Sequence, residues 1–468
     1  MWINSQWVDK DEKINVINPF DNSVIDTVPK GDAKDVDAAV SSAERGAKIM
    51  ANVSAYDRFA MLRKAADLLE ERKEEFAQVV TKEEGKIIAE GRIEVDRAIQ
   101  TMSLSAEEAK RLYGESVPLD AFPGWTGQLG FTMRIPCGVV LGISPFNFPL
   151  NLVCHKVGPA LAGGNSVIIK PASDTPLSAI KLTEVLLEAG VPSEAIQCIT
   201  GSGSNVGDPL VHDSRVRKVT FTGSREIGQH ICQVAGLKKV TMELGSNAPL
   251  IIMPDADIDK VVKGTISSGF MNAGQSCISA QRVIANKKIY VDYLDALTEG
   301  VKTINTGNPL DENVRMGPMI REQDASRVNQ WIKDATTGGA KTLIGAEYSG
   351  AIHAPTIVAD VRPEMQISHD ELFGPAVAVT PFSDIDEAIA LANDSDYGLS
   401  AGIFTQNMDT AMRFIKEVHS GNVHINSGPA WRADMMPYGG VKYSGLGNEG
   451  PRYAIEEMTE LKMVVMHS

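Results

Sequence analysis

A chain of 468 residues is too long for one ordinary hydrophobic core, so two or three domains are expected. Its 45 Lys and Arg stand against 60 Asp and Glu, a formal charge of -15, which opposes non-specific binding to nucleic acid or to an anionic membrane. An acidic substrate would have to be met by local basic groups.

The opening stretch, "MWINSQWVDKDEKINV", has no apolar core of the length a signal peptide needs and carries charges from Asp9 onward, so export is not expected. The apolar run "CGVVLGISPFNFPLNLV" is broken by Pro145, Pro149 and glycines, and no uninterrupted run of ~18 apolar residues offers a spanning helix. Cysteines at 137, 154, 198, 232 and 277 form no CxxC pair, which gives neither a disulfide nor a zinc framework and makes a reducing cytoplasm the simplest compartment.

Residues 55–78, "AYDRFAMLRKAADLLEERKEEFAQ", place apolar side chains at helical spacing among charges, and 82–113 continue in that style, so helices dominate the first quarter. From "CGVVLGISP" onward, short β-rich runs ("GVVLGI", "SVIIK", "IQCIT", "KVTFTG", "APLIIM") alternate with amphipathic helices such as "PLSAIKLTEVLLEAG". That is the rhythm of a parallel sheet with helices on both faces. A second series runs from about Asp259 to about Asn422, with strands "RVIAN" and "AGIFT" and helix "DIDEAIALAND". The fold class is therefore α/β with two parallel, Rossmann-like units. The stretch "GESVPLDAFPGWTGQLG" and the terminal "EEMTELKMVVMH" fit neither unit and read as extended arms in need of a partner strand.

Several stretches carry possible chemistry. "GSGSNVG", 201–207, has one residue too many for GxGxxG and is more simply a turn. In "FTGSREIG" a strand ends in Gly223 and Ser224 and opens directly into a helix, where free N–H groups and the helix dipole favour an anion; an ordinary capped helix start reads equally well. Lys170 in "SVIIKPASDTP" ends a β-rich run, where α/β sheets hold ligands, although a surface lysine is the commoner case. No GxSxG elbow, Walker loop, HExxH or EF-hand loop occurs, the eight histidines form no metal-ligand pattern, and no metal is expected. Cys277 in "NAGQSCISA" remains, with Glu243 in "TMELGSNAP", Asn147 in "SPFNFP" and Glu371 in "ELFGP". A lone cysteine is usually a small buried hydrophobe; a glutamate closing a β-rich run is odder, because carboxylates are rarely buried without a partner or a task.

The motifs "SPFNFPLN", "IIKPASDTPLSA", "FTGSREIG", "MELGSNAP", "NAGQSCISAQRV", "ELFGPA" and "MPYGGVKYSGLGNEG" occur in the order and approximate spacing of the aldehyde dehydrogenase superfamily, which the chain resembles over nearly its whole length. The resemblance implies a cofactor-binding domain (1–114 and 135–244), a catalytic domain (245–430), an oligomerisation arm (115–134 and 455–468) and a loop closing the substrate tunnel (431–454). It implies that the Cys277 thiolate adds to an aldehyde to give a thiohemiacetal, and that Asn147 stabilises the oxyanion with the Cys277 backbone N–H. Collapse of that adduct would pass hydride to a nicotinamide and leave a thioester, which water activated by Glu243 would hydrolyse. Relatives that pass the acyl group to coenzyme A generally lack this glutamate, so a free carboxylic acid is the implied product. Lys170 matches the residue holding adenosine ribose hydroxyls, Gly223 and Ser224 the pyrophosphate contact, Glu371 the anchor of the nicotinamide ribose, and Phe373 an aromatic packed near the nicotinamide.

Many strictly NAD-dependent members carry Glu three residues after the cofactor lysine; here Ser173 stands there. A small hydroxyl beside Lys170 leaves room and positive charge for a 2'-phosphate, so NADP is expected to be accepted, with NAD also usable. The local texture is similar to lactaldehyde, phosphonoacetaldehyde, non-phosphorylating glyceraldehyde-3-phosphate and some semialdehyde dehydrogenases, which implies a small polar or anionic aldehyde. Arg97, His155 and Arg432 are the candidate anion anchors, with a salt bridge of Arg97 to Glu94 or to a partner subunit as the plain alternative. Ser276, next to the nucleophile, supplies no cation of its own. A broad-range detoxifying enzyme and a non-catalytic structural member of the fold stay open, as does a coenzyme-A-acylating enzyme. Pairing of the C-terminal strand across an interface implies a homodimer or homotetramer.

Overall fold

The computed structural model describes residues 1–467. Strands Val139–Ile143, Ser166–Lys170 and Ile196–Cys198 are buried along their whole length, which requires helices on both faces of their sheet. Alternation along the strands divides the apolar side chains. Val140, Val167 and Ile169 pack into one core with helices Ala55–Glu71, Ile88–Ala109 and Asn151–Ala162, while Val139, Leu141 and Ile168 pack into another with helix Ala33–Met50. Val216–Thr222 and Lys239–Glu243 extend the sheet on the far side of Val139–Ile143. The five strands are parallel, and the order reverses between Val139–Ile143 and Val216–Thr222, which puts a ligand crevice at their carboxyl ends. Trp2–Ile3 and Gly445–Leu446 close the two sides as antiparallel strands.

The second sheet has Pro249–Ile252 and Arg282–Asn286 at its centre, flanked by Ser400–Phe404 and Asn422–Ile425 on one side and by Ala376–Phe382 and Thr356–Ala359 on the other, all parallel. The "APLIIM" run, read above in series with the first unit, therefore belongs to the second sheet. Lys341–Ile344 adds an antiparallel edge. A third sheet pairs Thr459–Met466 antiparallel with Leu129–Pro136 over the full register from Thr459 opposite Pro136 to Met466 opposite Leu129, with Ser116–Val117 beyond. Both orphan arms thus share one partner strand, Leu129–Pro136, which the first of them overlaps at Leu129 and Gly130. "EEMTELKMVVMH" is not extended throughout: helix Pro451–Glu457 ends inside it, because Ala454 and Ile455 pack into the core against helix Asn151–Ala162, and the strand begins only at Thr459. Among the described residues no helix is long and apolar enough to cross a membrane.

Candidate active site

Each residue singled out in the first sheet stands at a strand's carboxyl end. Lys170 closes its strand as a buried side chain whose Nζ, among the described residues, meets only the Pro171 carbonyl, at 3.1 Å; burial pushes its pKa down to about 8. Ser173 donates its Oγ–H to the Gly201 carbonyl at 3.2 Å. Gly223 donates its N–H to the Glu243 carbonyl, and Ser224 caps helix Arg225–Val234, so free helix N–H groups face the crevice. Glu371 accepts from the Ser246 N–H at 2.8 Å and burial raises it to about 7. Gly245 is required beside it, since a Cβ there would run into this carboxylate. Phe373, at φ 48°, lies edge-on to Phe146 with centroids 5.9 Å apart.

The loop before strand Arg282–Asn286 carries the cysteine. Asn272, Ala273 and Gly274 are consecutively left-handed, at φ 51°, 52° and 72°, a costly backbone that something must hold. Buried carboxylates do so: Glu90 accepts the Asn272 main-chain N–H at 3.1 Å, and Glu84 accepts its side-chain amide at 2.9 Å. Lys86, paired with Glu94 at 2.8 Å, donates to the Asn147 carbonyl at 2.6 Å. Asn147 in turn gives one amide N–H to the Gln275 carbonyl at 2.9 Å, which leaves its second N–H without a partner among the described residues. Cys277 Sγ lies 3.2 Å from the Tyr438 hydroxyl. Burial pushes its thiol up to about 12, against that hydrogen bond.

Glu243 is buried at the end of its strand, and neither carboxylate oxygen has a hydrogen-bond partner among the described residues. Burial raises its pKa well above the usual range and the nearby Glu449 carboxylate adds to this; Arg432 and Lys156 oppose it. Gly445 pairs with Glu243, and Ser444 accepts the Leu244 N–H, so the 431–454 loop is fastened directly beside this carboxylate.

The candidate anion anchors converge on Asp434. Arg97 bonds it through two nitrogens and His155 through Nε2 at 2.9 Å. The alternative pairing of Arg97 with Glu94 does not occur: Glu94 is turned inward, where it takes Lys86 and the N–H groups of Leu150 and Asn151. Arg432 touches His155 at 3.2 Å and Glu449 at 3.2 Å, and stacks over the Tyr438 ring at 3.8 Å. Lys156 holds the other Glu449 oxygen at 3.0 Å and Thr222 at 2.7 Å.

The sequence model of the aldehyde dehydrogenase family matches residues 7–464. The chain belongs to this family. It is 45% identical, over all of its own length and 98% of the relative's, to a 3-sulfolactaldehyde dehydrogenase from Priestia aryabhattai. Among solved structures it superposes with a TM-score of 0.97 and 40% identity on aldehyde dehydrogenase 21 from Physcomitrella patens in complex with its product succinate, covering 100% of this chain and 98% of that one. A glyceraldehyde-3-phosphate dehydrogenase from Methanocaldococcus jannaschii complexed with NADP matches at 35% identity and TM-score 0.95, covering 98% and 100%.

The protein is accordingly an NAD(P)-dependent aldehyde dehydrogenase. Its residues fit the dinucleotide: the buried Lys170 ammonium meets no side chain among the described residues, the helix start at Ser224 offers free N–H groups, and Glu371 is pinned in place. Sequence reasoning missed Tyr438, Asp434, Glu449 and Lys156. Tyr438 and Glu449 lie inside the quoted "MPYGGVKYSGLGNEG", but nothing in their spacing announces contacts to Cys277 and Arg432; Lys156 directly follows the named His155.

Proposed function

We propose that this dehydrogenase oxidises a small aldehyde carrying a single negative charge, such as a sulfonate or carboxylate, to the carboxylic acid. The observation that carries the reading is Arg432: its side chain is 6% exposed and its Nε has no partner among the described residues, although Glu449 and Tyr438 fix the rest of it. A buried guanidinium nitrogen without an acceptor is costly and asks for an anion. The local charge sets which anion. Arg97, Arg432 and Lys156 face Asp434 and Glu449, which leaves one positive charge when Glu243 carries its proton. His155 adds none at neutral pH, because burial and Arg432 push its pKa down. A monoanion neutralises this site, whereas a phosphate dianion would overcharge it. The 3-sulfolactaldehyde named for one relative carries one sulfonate, and the product succinate bound to another carries one carboxylate besides the one formed from its aldehyde.

The chemistry follows from the residues. Cys277 Sγ bonds to the aldehyde carbon, and the carbonyl electrons move to an oxygen received by the free Asn147 N–H and the Cys277 main-chain N–H. When bound, the nicotinamide serves as hydride acceptor, and Lys170 with Ser173 leaves room for the 2'-phosphate of NADP. The acyl group is then left on Cys277 as a thioester. Glu243 takes a proton from the water that attacks it, and burial, by raising its proton affinity, makes it a stronger base. The Glu449–Lys156 pair beside it biases that proton affinity.

The arm supports assembly. Thr459–Met466 is an edge strand with Leu461, Met463 and Val465 exposed, the kind of edge that pairs with a second copy in a homodimer or homotetramer. Light scattering that gave a monomer at micromolar concentration would contradict this. Unpaired cysteines at 137, 154, 198, 232 and 277 favour a reducing cytoplasm.

The test is a plate of neutral, hydroxylated, sulfonated, carboxylated and phosphorylated small aldehydes, each with NAD or NADP, read by reduced-cofactor absorbance. Higher kcat/KM for monoanions supports the reading. Equal turnover of neutral aldehydes would make this a broad-range detoxifying enzyme instead.

A further inference from the structure

Tyr438 is buried, and among the described residues its hydroxyl has one hydrogen-bonding neighbour, the Cys277 sulfur at 3.2 Å. A buried phenolic O–H needs an acceptor, and a thiolate is a much better one than a thiol. The ring cannot follow a moving loop: Tyr438 N–H donates to the Glu449 carbonyl at 3.1 Å and Glu449 N–H to the Tyr438 carbonyl at 2.7 Å. Arg432 lies over the ring face at 3.8 Å, held by Glu449 through its Nη2, and draws electron density from the phenol. A phenol under a cation is a stronger donor.

The other charged groups acting on the sulfur are the Glu371 and Glu243 carboxylates, which disfavour a thiolate, and Arg432, which favours it. Burial disfavours it most. No lysine or histidine hydrogen-bonds the sulfur among the described residues. We propose that Tyr438 is a catalytic residue of this dehydrogenase: its hydroxyl donates to Cys277 Sγ and stabilises the thiolate that attacks the aldehyde, with Arg432 acting on the sulfur through the ring. The thiol proton passes to solvent water, and Tyr438 keeps its own proton throughout. Arg432 thereby serves two ends, charge recognition through Nε and sulfur activation through its face. The role rests on Cys277 being the nucleophile.

Tyr438→Phe keeps the ring and the stacked guanidinium and removes only the donor. The measurement is the rate at which iodoacetamide alkylates Cys277 between neutral and strongly alkaline pH, read on the Cys277 peptide by mass spectrometry because the exposed Cys232 would react as well. Loss of a hydrogen bond to a charged sulfur should slow alkylation at neutral pH roughly tenfold and displace the midpoint upward by about one pH unit. An unchanged rate and midpoint would overturn the proposal. If thermal melting shows that the variant folds poorly, 3-fluorotyrosine at 438, a stronger donor, should move the midpoint down; no movement would overturn the proposal equally. A Cys277→Ser protein without turnover, beside an unchanged alkylation midpoint in Tyr438→Phe, would remove the role of Tyr438 alone. Full turnover in Cys277→Ser would remove the nucleophile itself.

Discussion

Arg97 grips Asp434 through two guanidinium nitrogens, Nη2 to Oδ1 at 2.8 Å and Nε to Oδ2 at 3.1 Å. His155 and Asn151 donate to the same Oδ1, at 2.9 and 3.1 Å. Although burial opposes ionisation, the His155 hydrogen bond and the Arg97 charge hold this carboxyl well below the usual carboxylate range, so it is charged at any working pH. Asp434→Asn keeps the shape and removes that negative charge. The ratio of kcat/KM for a phosphorylated over a carboxylated aldehyde should then rise roughly tenfold, as expected for one uncompensated charge at a few ångströms. An unchanged ratio would mean that charge balance does not select the substrate.

Cofactor choice should answer to Lys170 and position 173. Ser173→Glu puts a carboxylate beside a lysine that now meets only the Pro171 carbonyl, and should raise KM for NADP about tenfold while sparing NAD. Because burial lowers Lys170 to about 8, the unaltered enzyme should also bind NADP more weakly as pH rises through that value. Fluorescence titration of both cofactors on either side of it checks both statements. Equal affinities throughout would make the position a bystander.

Glu84 and Glu90 under the nucleophile loop, with Glu83 at the start of helix Leu177–Glu188, should make stability fall with pH. Burial raises Glu83 and Glu90 to about 7 and Glu84 to about 8, above the ordinary 4.5. The folded state therefore binds more protons than the unfolded chain between these limits, and the stability present below 4.5 is lost as pH rises through the folded values. Tm should decline from mildly acidic to mildly alkaline buffer, and Glu84→Gln should flatten part of that decline. A Tm that rises across the window would contradict the assignment.

Hydrolysis of the thioester requires ionised Glu243, whose pKa burial and Glu449 push up. Single-turnover deacylation should fall as pH drops through that raised value, well above the range of an ordinary carboxylate. Glu449→Gln removes the like charge and should move the fall to lower pH; a displacement in the other direction would contradict the electrostatic account.

The α/β architecture was legible because buried parallel strands are short β-branched runs with turn signals, as in "SVIIK" and "KVTFTG". The crevice was legible for the same reason: Lys170, Gly223 and Glu243 are strand-terminal in sequence and so reach one edge of the sheet. Contacts between distant segments were not. Asp434 lies 337 positions from Arg97, and no local pattern separates that pairing from one with Glu94, three residues away on the same helix. Nor does spacing reveal that the left-handed backbone at Asn272 rests on Glu84 and Glu90. The stretch from Glu456 to His467 misread as wholly extended because the helix that ends inside it, Pro451–Glu457, is short and fixed by tertiary packing.

The central claim is that Cys277 carries the acyl group and Glu243 releases it to water. Glu243→Gln protein mixed with a carboxylated aldehyde and NADP should complete one burst of cofactor reduction and stall. Intact-mass spectrometry should then show the acyl mass added, and peptide mapping should place it on Cys277. A full turnover rate with no adduct, or an adduct on another residue, would contradict the account.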